Sequence, residues 1–407
     1  MDATLLQQSL ARVERRKRFF AVGLTTPLLV FLLFVFVLPI ASLLMRSVEN
    51  PEVADALPHT ATALASWDRQ SEVPAQAYAA MALDLSKIEE GAQTGALARR
   101  LNTAVPGARS LIMGTYRAQL HDPNLTPEVM RDKLLTHDAR WAELPYWQAI
   151  ARNTDRWTPE YLLAAVDYQR DASGDVIAMP EDQAVFKSIL LRTFWVSAII
   201  TFWCLLLGYP LAWWLASLPA RKANFLMILI LIPFWTSVLV RIAAWIVLLQ
   251  QEGLVNSGLQ ALGLIGEPLN LLFNRTGVVI SMTHILLPFM ILPLYSVMKS
   301  IPTTYMRAAI SLGSPPWSAF VRVYIPQTLP GVTAGALLVF IVALGYYVTP
   351  ALVGGASDQM ISYYVAQYTN VDVNWGMACA LAAILLAATM TLYSVYRRLT
   401  KAELSLG

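Results

Sequence analysis

Six apolar stretches, each near the ~20 residues a helix needs to cross a hydrocarbon core, dominate this 407-residue chain. They fall at about 19–45, 189–218, 224–249, 277–298, 328–348 and 376–396. Lipid offers the backbone no hydrogen bonds, so such stretches must satisfy their own polar groups as helices. The expected fold is therefore an all-α membrane protein with six transmembrane helices. Only 14% of the residues are charged, against about 25% in a soluble domain, which excludes an ordinary soluble class.

The basic residues set the orientation. Arg12, Arg15, Arg16, Lys17 and Arg18 precede the first stretch. Arg221 and Lys222 follow the second, Lys299, Arg307 and Arg322 the fourth, and Arg397, Arg398 and Lys401 the sixth. With six crossings all four groups share one side, and an excess of Lys and Arg marks the cytoplasmic side. Both termini are expected there. The segment 46–187 carries a net charge of −6 and the remainder +9, which fits an acidic segment on the far side. The small net positive charge is thus a topology signature, and no basic-aromatic pattern points to nucleic acid. The first apolar core is too long for the 7–15-residue core of a cleaved signal, so an uncleaved anchor is expected.

The resulting organisation is a cytoplasmic basic tail (1–18), transmembrane helix 1 (19–45), an extracytoplasmic insertion (46–187), a five-helix core (188–396) and a cytoplasmic tail (397–407). Helical spacing of apolar residues from Ala77 to Leu101 predicts a helix in the insertion. Pro106-Gly107 reads as a break and Thr126-Pro127 as a helix start, with Trp141, Trp147, Trp157 and Tyr161 supplying a small core. His59, His121 and His137 are scattered singly, as solvent-exposed histidines are. Cys204 and Cys379 lie in apolar stretches and are expected to pack as small hydrophobes, with no metal site. Pro27, Pro39, Pro210, Pro233, Pro288, Pro293 and Pro350 each remove a helical hydrogen bond and predict kinks or ends.

The loop at about 299–328, after the fourth stretch, is the most specific segment. Residues 305–312 favour a helix that Gly313 can end in the left-handed conformation, with Ser314 an N-cap and Pro315 opening a second short helix. Ala308 and Ala309 leave a face of little bulk, with Leu312 at its end. Ala308, Ala309, Gly313 and Pro326, with Val323 and Ile325 as apolar replacements, stand at the spacing Glu-Ala-Ala, three residues, Gly, nine residues, Ile-x-Leu-Pro. In this the loop resembles the cytoplasmic coupling loop of the membrane subunits of binding-protein-dependent (type I) ABC importers. Arg307 stands where that family carries glutamate, which leaves one contact to the ATPase unassigned. The stretches 233–256, 287–298, 329–355 and 374–381 look like the spermidine/putrescine permease branch, although the long insertion departs from it.

The resemblance implies a non-enzymatic, multi-pass permease subunit of a bacterial inner membrane, forming half of a pathway for a polyamine or similar cation. It implies a second permease subunit, a cytoplasmic ATPase dimer gripping 304–326, and an extracytoplasmic solute-binding protein. ATP and Mg would belong to the ATPase, since the chain has no G-x-x-x-x-G-K-[ST] motif. Related branches carry opines, phosphonates, thiamine or ferric iron. A stand-alone secondary carrier would need coupling carboxylates, and Asp and Glu are absent from the six stretches as bounded above.

For a polycation, carboxylates and aromatic faces are the fitting groups. Asp358 and Asp372 flank the outer ends of the last two stretches, beside Tyr346, Tyr347 and Trp375. Trp235 and Trp245 lie near one face of the third stretch, which also carries Arg241. Two readings fit these residues: a substrate pathway, or an interfacial aromatic belt with a structural arginine bonded to helix carbonyls.

Overall fold

The computed structural model describes residues 20, 22–171 and 174–404, those from 399 onward by backbone alone. The basic residues at 12–18 lie outside the described residues. The chain forms two compact units, Met1–Leu162 with Arg170–Asp175 and Asn374–Ala380, and Leu163–Gln169 with Val176–Val373 and Leu381–Gly407.

In the first unit, span 1 (Val22–Arg46) is an apolar helix with none of its window buried. Pro39 does not break it. A proline ring collides with the carbonyl four residues back, here Val35, and the helix widens to a π-turn at Leu33–Val37 that moves this carbonyl aside.

The insertion is helical, as expected, with helices Pro51–Ala54, Pro58–Leu64, Ala75–Lys87, Gly91–Ala104, Ala108–Ala118, Pro127–His137 and Leu144–Asn153. The helix expected through Ala77–Leu101 is two helices. Ile88 is extended, and Gly91, a poor helix former, opens the second. Gly107 sits at φ +90° as the break before Ala108, and Pro127 occupies a first-turn position. Trp141 and Trp147 are fully buried with ring centroids 5.1 Å apart. Each indole N–H is satisfied, by Thr115 Oγ1 at 3.0 Å and the Trp141 carbonyl at 2.9 Å. Trp157, expected in this core, is instead 56% exposed. His59 is exposed, as expected, and its Nδ1 is 2.5 Å from Asp84 Oδ1. The buried Asp84 carboxylate also accepts from the Thr60 amide and hydroxyl, which fixes the start of helix Pro58–Leu64.

The second unit is built on span 2 (Phe186–Ser217), span 4 (Arg275–Ser300) and the helix Ile325–Leu344. Small residues allow close crossing, as membrane helices require where hydrocarbon supplies no drive to associate. A Cβ on Gly208 would lie 3.1 Å from Met290 Cγ, and one on Gly335 would lie 2.8 Å from Met290 Sδ and 3.1 Å from the Met290 carbonyl. Met290 is thus held between two glycines of neighbouring helices. Cys204 is buried, its thiol directed at the Thr283 carbonyl 3.5 Å away, and Cys379 is buried as a free thiol in the other unit.

The third stretch departs from expectation. Instead of one helix over 224–249 there are Ala220–Leu231, a 3-10 turn Ile232–Trp235, and Val238–Leu249, followed by Leu254–Ala261. Pro233 cannot donate, and Thr236 and Ser237 are extended, so the helix restarts at Val238. The candidate crossing runs Val238–Ala261 and includes Glu252 in the turn between its two helices. Lipid-depth breaks of this kind persist only where protein or a cavity satisfies the freed groups. Pro350 lies in a separate short helix, Val348–Val353.

Candidate functional site

The elbow after span 4 forms as the sequence dictates, with one shift. Helix Thr303–Ser311 ends in a Schellman arrangement, with the Gly313 amide donating to the Ile310 carbonyl at 2.9 Å and the Ser314 amide to Ala309 at 3.0 Å. Gly313 has φ +91°, and a Cβ there would meet no atom within 4 Å. Conformation alone demands the glycine. The second helix starts one residue later than expected, at Pro316, with Pro315 rather than Ser314 in the cap position. A residue before proline is driven out of the α region, so Pro315 (ψ 146°) is excluded from the helix by its neighbour.

Nor is that second helix separate. Pro316–Ala319 passes through a π-turn, Phe320–Tyr324, directly into Ile325–Leu344. Pro326 is absorbed as Pro39 is, by a widened turn that frees the carbonyl of Arg322.

Arg307, Ala308 and Pro326 are exposed and Ala309 is half-buried. The most exposed apolar groups on the elbow are Leu312 at 89% and Trp317 at 75%. Trp317 was missed by sequence reasoning, although a tryptophan in a basic loop next to two prolines was a readable signal. Its ring stacks on Phe320 (5.8 Å), which stacks on Tyr324 (5.4 Å) and meets Trp213 of span 2 edge-on. Lys299 Nζ donates to the Ala216 and Leu218 carbonyls at 3.2 and 3.0 Å, capping the end of span 2. The elbow and the end of span 4 thus both contact the end of span 2.

At the helix break, Trp235 is 79% exposed. Trp235 and Trp245 do not share a helix face, because the break falls between them. The Arg241 guanidinium lies 5.7 Å from the centre of the Phe234 ring, and its Nε is buried with no hydrogen-bond partner among the described residues. Trp245 donates to His284 Nδ1 at 3.1 Å, which leaves the imidazole proton on Nε2. His284 lies within span 4. Here, with Trp203, Trp245, Arg275, Thr283 and Leu287, it lines an apolar cavity of about 620 Å³.

Asp358 is buried and engaged by its neighbours. It is 5% exposed, its Oδ1 is 3.2 Å from Arg275 Nε, and it caps the turn at Gly355. Arg192 donates to the carbonyls of Ser357 and Gln359, so two arginines clamp this turn. Asp372 is exposed beyond helix Ile361–Asn370. Tyr346 is half-buried, its carbonyl accepting from Ser362 at 2.9 Å, and Tyr347 borders a second apolar cavity with Ser362, Ala366 and Leu385. Trp375 belongs to the first unit, lining a cavity with Arg46 and Glu49. The expected pathway residues therefore fall into separate clusters.

Residues 208–402 match the family of binding-protein-dependent transport system inner membrane components. The chain is 36% identical over 219 residues to the spermidine/putrescine transport system permease protein PotB of Escherichia coli, covering 53% of this chain and 79% of that protein. The Haemophilus influenzae PotB is 32% identical, over 60% of this chain and 88% of that protein. The molybdenum transport system permease protein ModB of Mycobacterium bovis is 28% identical, over 62% and 92%. The six apolar helices, the glycine-terminated elbow and these similarities have one conclusion: the chain belongs to the inner membrane permeases of binding-protein-dependent (type I) ABC importers, on the branch that holds PotB.

Proposed function

We propose that this chain forms half of the translocation pathway of an ATP-driven importer for a polyamine or similar cation. Its similarity to PotB over most of that protein's length supports the solute class. Its partners are a second permease, a cytoplasmic ATPase dimer that supplies ATP and Mg, and an extracytoplasmic solute-binding protein. Both termini and the elbow are cytoplasmic and 46–187 periplasmic in this reading. The observation that carries coupling is the elbow itself, which offers exposed Leu312 and Trp317 from a frame anchored to two spans. An apolar anchor ringed by polar surface is the form of a protein-docking hot spot. Arg307, exposed where relatives of the loop pattern carry an acid, suits an acidic group on the ATPase.

Reconstitution tests this. Vesicles holding the assembled importer should take up spermidine only with ATP inside the ATPase-bearing compartment, and vesicles holding this chain alone should take up none. Uptake by the chain alone would establish a secondary carrier instead. One observation favours a second reading, an anionic solute such as an opine or phosphonate: the unpaired Arg241 Nε beside the helix break. Competition of uptake by these anions, without competition by spermidine, would select it.

A further inference from the structure

The turn between Val238–Leu249 and Leu254–Ala261 borders a small open cavity far from the elbow. It has a volume of about 360 Å³ and is lined by Leu249, Gln250, Gln251, Glu252, Asn270, Leu272 and Phe273. Span 4 separates it from the elbow: the cavity precedes Arg275 and the elbow follows Ser300, 26 residues or about 39 Å of helix later. Cavity and elbow thus lie at opposite ends of the same helix.

Glu252 is the one ionisable residue in this lining. Glu252 supplies a carboxylate, and Gln250, Gln251 and Asn270 supply side-chain amides, whose oxygens can accept from a cation. Glu252 takes part in no ion pair among the described residues. Arg275, the first residue of span 4, is already engaged by Asp358 at 3.2 Å. Glu252 is exposed, so its carboxylate is open to a solute arriving from outside.

The turn is also closely built. A Cβ on Gly253 would fall 2.5 Å from the Leu248 carbonyl and 2.7 Å from that of Val247, so the chain folds back tightly beneath Glu252. Asn256 ties the two sides of the cavity, donating to the Gln250 and Leu269 carbonyls at 3.1 and 3.0 Å. Its Oδ1 accepts from the Leu269 amide at 2.9 Å. Phe273 holds φ +56° and remains exposed at the rim, offering an aromatic face.

We propose that this cavity is an entry subsite for the primary ammonium end of the transported cation, with Glu252 as its anchor. An alkylammonium has three N–H donors and no acceptor, and the cavity offers a carboxylate, amide oxygens and an aromatic face. The assignment deepens the polyamine reading above and rests on it for the identity of the solute. It places the first amine contact at the end of span 4 away from the ATPase, where an importer receives its cargo.

The test labels a cysteine at the cavity rim in the assembled importer. Cys204 and Cys379 are both buried, so Gln251→Cys supplies the reactive thiol. Spermidine should slow maleimide labelling of Gln251→Cys, and adding Glu252→Gln should raise the protecting concentration about tenfold or more. Glu252→Asp, which keeps the charge, should retain most of the protection. Labelling indifferent to spermidine in Gln251→Cys, or protection unchanged by Glu252→Gln, overturns the subsite. Protection by calcium alone also overturns it, in favour of a metal site. Spermidine uptake by the unsubstituted importer is measured in parallel: protection without uptake sinks the polyamine cargo and leaves the ammonium subsite standing, whereas uptake without protection does the reverse.

Discussion

Arg275 Nε donates to Asp358 Oδ1 across 3.2 Å, joining the first residue of span 4 to the buried turn after Val348–Val353. A carboxylate so engaged is a structural strut. Asp358→Asn should therefore act on stability first: a loss of about 1–3 kcal/mol, read as a lower unfolding midpoint in detergent. A change in the KM for a cationic solute at unaltered stability would contradict the strut.

Gly313→Val should leave membrane insertion intact and impair ATP-driven uptake. No atom opposes the new side chain, so the whole effect comes from a β-branched residue at φ +91°, about 1–2 kcal/mol or more of strain. Protease accessibility of the elbow and coupled uptake should change together. Wild-type uptake by Gly313→Val would show that the elbow transmits nothing.

Gly335→Val should destabilise the second unit by about 1–3 kcal/mol through overpacking. Met290→Ala should restore only part of this. The flexible sulfur, 2.8 Å from the added Cβ, is removed, while the Met290 carbonyl at 3.1 Å remains. Full rescue would show that the side chain alone sets the crossing distance.

In the insertion, the Arg140 guanidinium, which donates to Asp138 at 2.6 Å, holds the Asp138 carboxyl below its ordinary value. Because the folded pKa is the lower one, the pair stabilises the fold above the ordinary carboxylate pKa near 4 and that contribution is lost as pH falls further. Hydrogen exchange at the Arg140 amide, which donates to Asp138 Oδ1 at 3.1 Å, should lose protection on acidification, after correction for intrinsic rates. In Asp138→Asn this acid-dependent loss should vanish.

The crossings other than the third, and the elbow's glycine stop, were legible because length, apolarity and a single left-handed residue each fix local structure without help from distant groups. Ser314 was misplaced by one position because the second of two adjacent prolines, not the first, decides where a helix can begin. The third crossing was drawn as one helix because hydropathy is blind to a missing N–H at Pro233 followed by extended Thr236 and Ser237. Asp358 was read as a cargo carboxylate because its partner lies 83 residues earlier, a pairing no local pattern encodes. Trp157 was placed in the core because burial of a single aromatic is decided by which distant helix passes nearby. His59 is exposed as expected, and its pairing with Asp84, on another helix, is encoded by no local pattern.

None of the apolar window of span 1 is buried. From Leu28 to Leu38 every residue shows its side chain to the surroundings, so no rotation of this helix could hide it from water. At ~25 cal/mol per Å² of oily surface, a cylinder of this kind is intolerable outside a hydrocarbon phase or a protein sheath. Handling the molecule therefore means handling its solvent: a detergent belt too thin to wrap this rod would bring the chains down as aggregate, however well every other helix were packed.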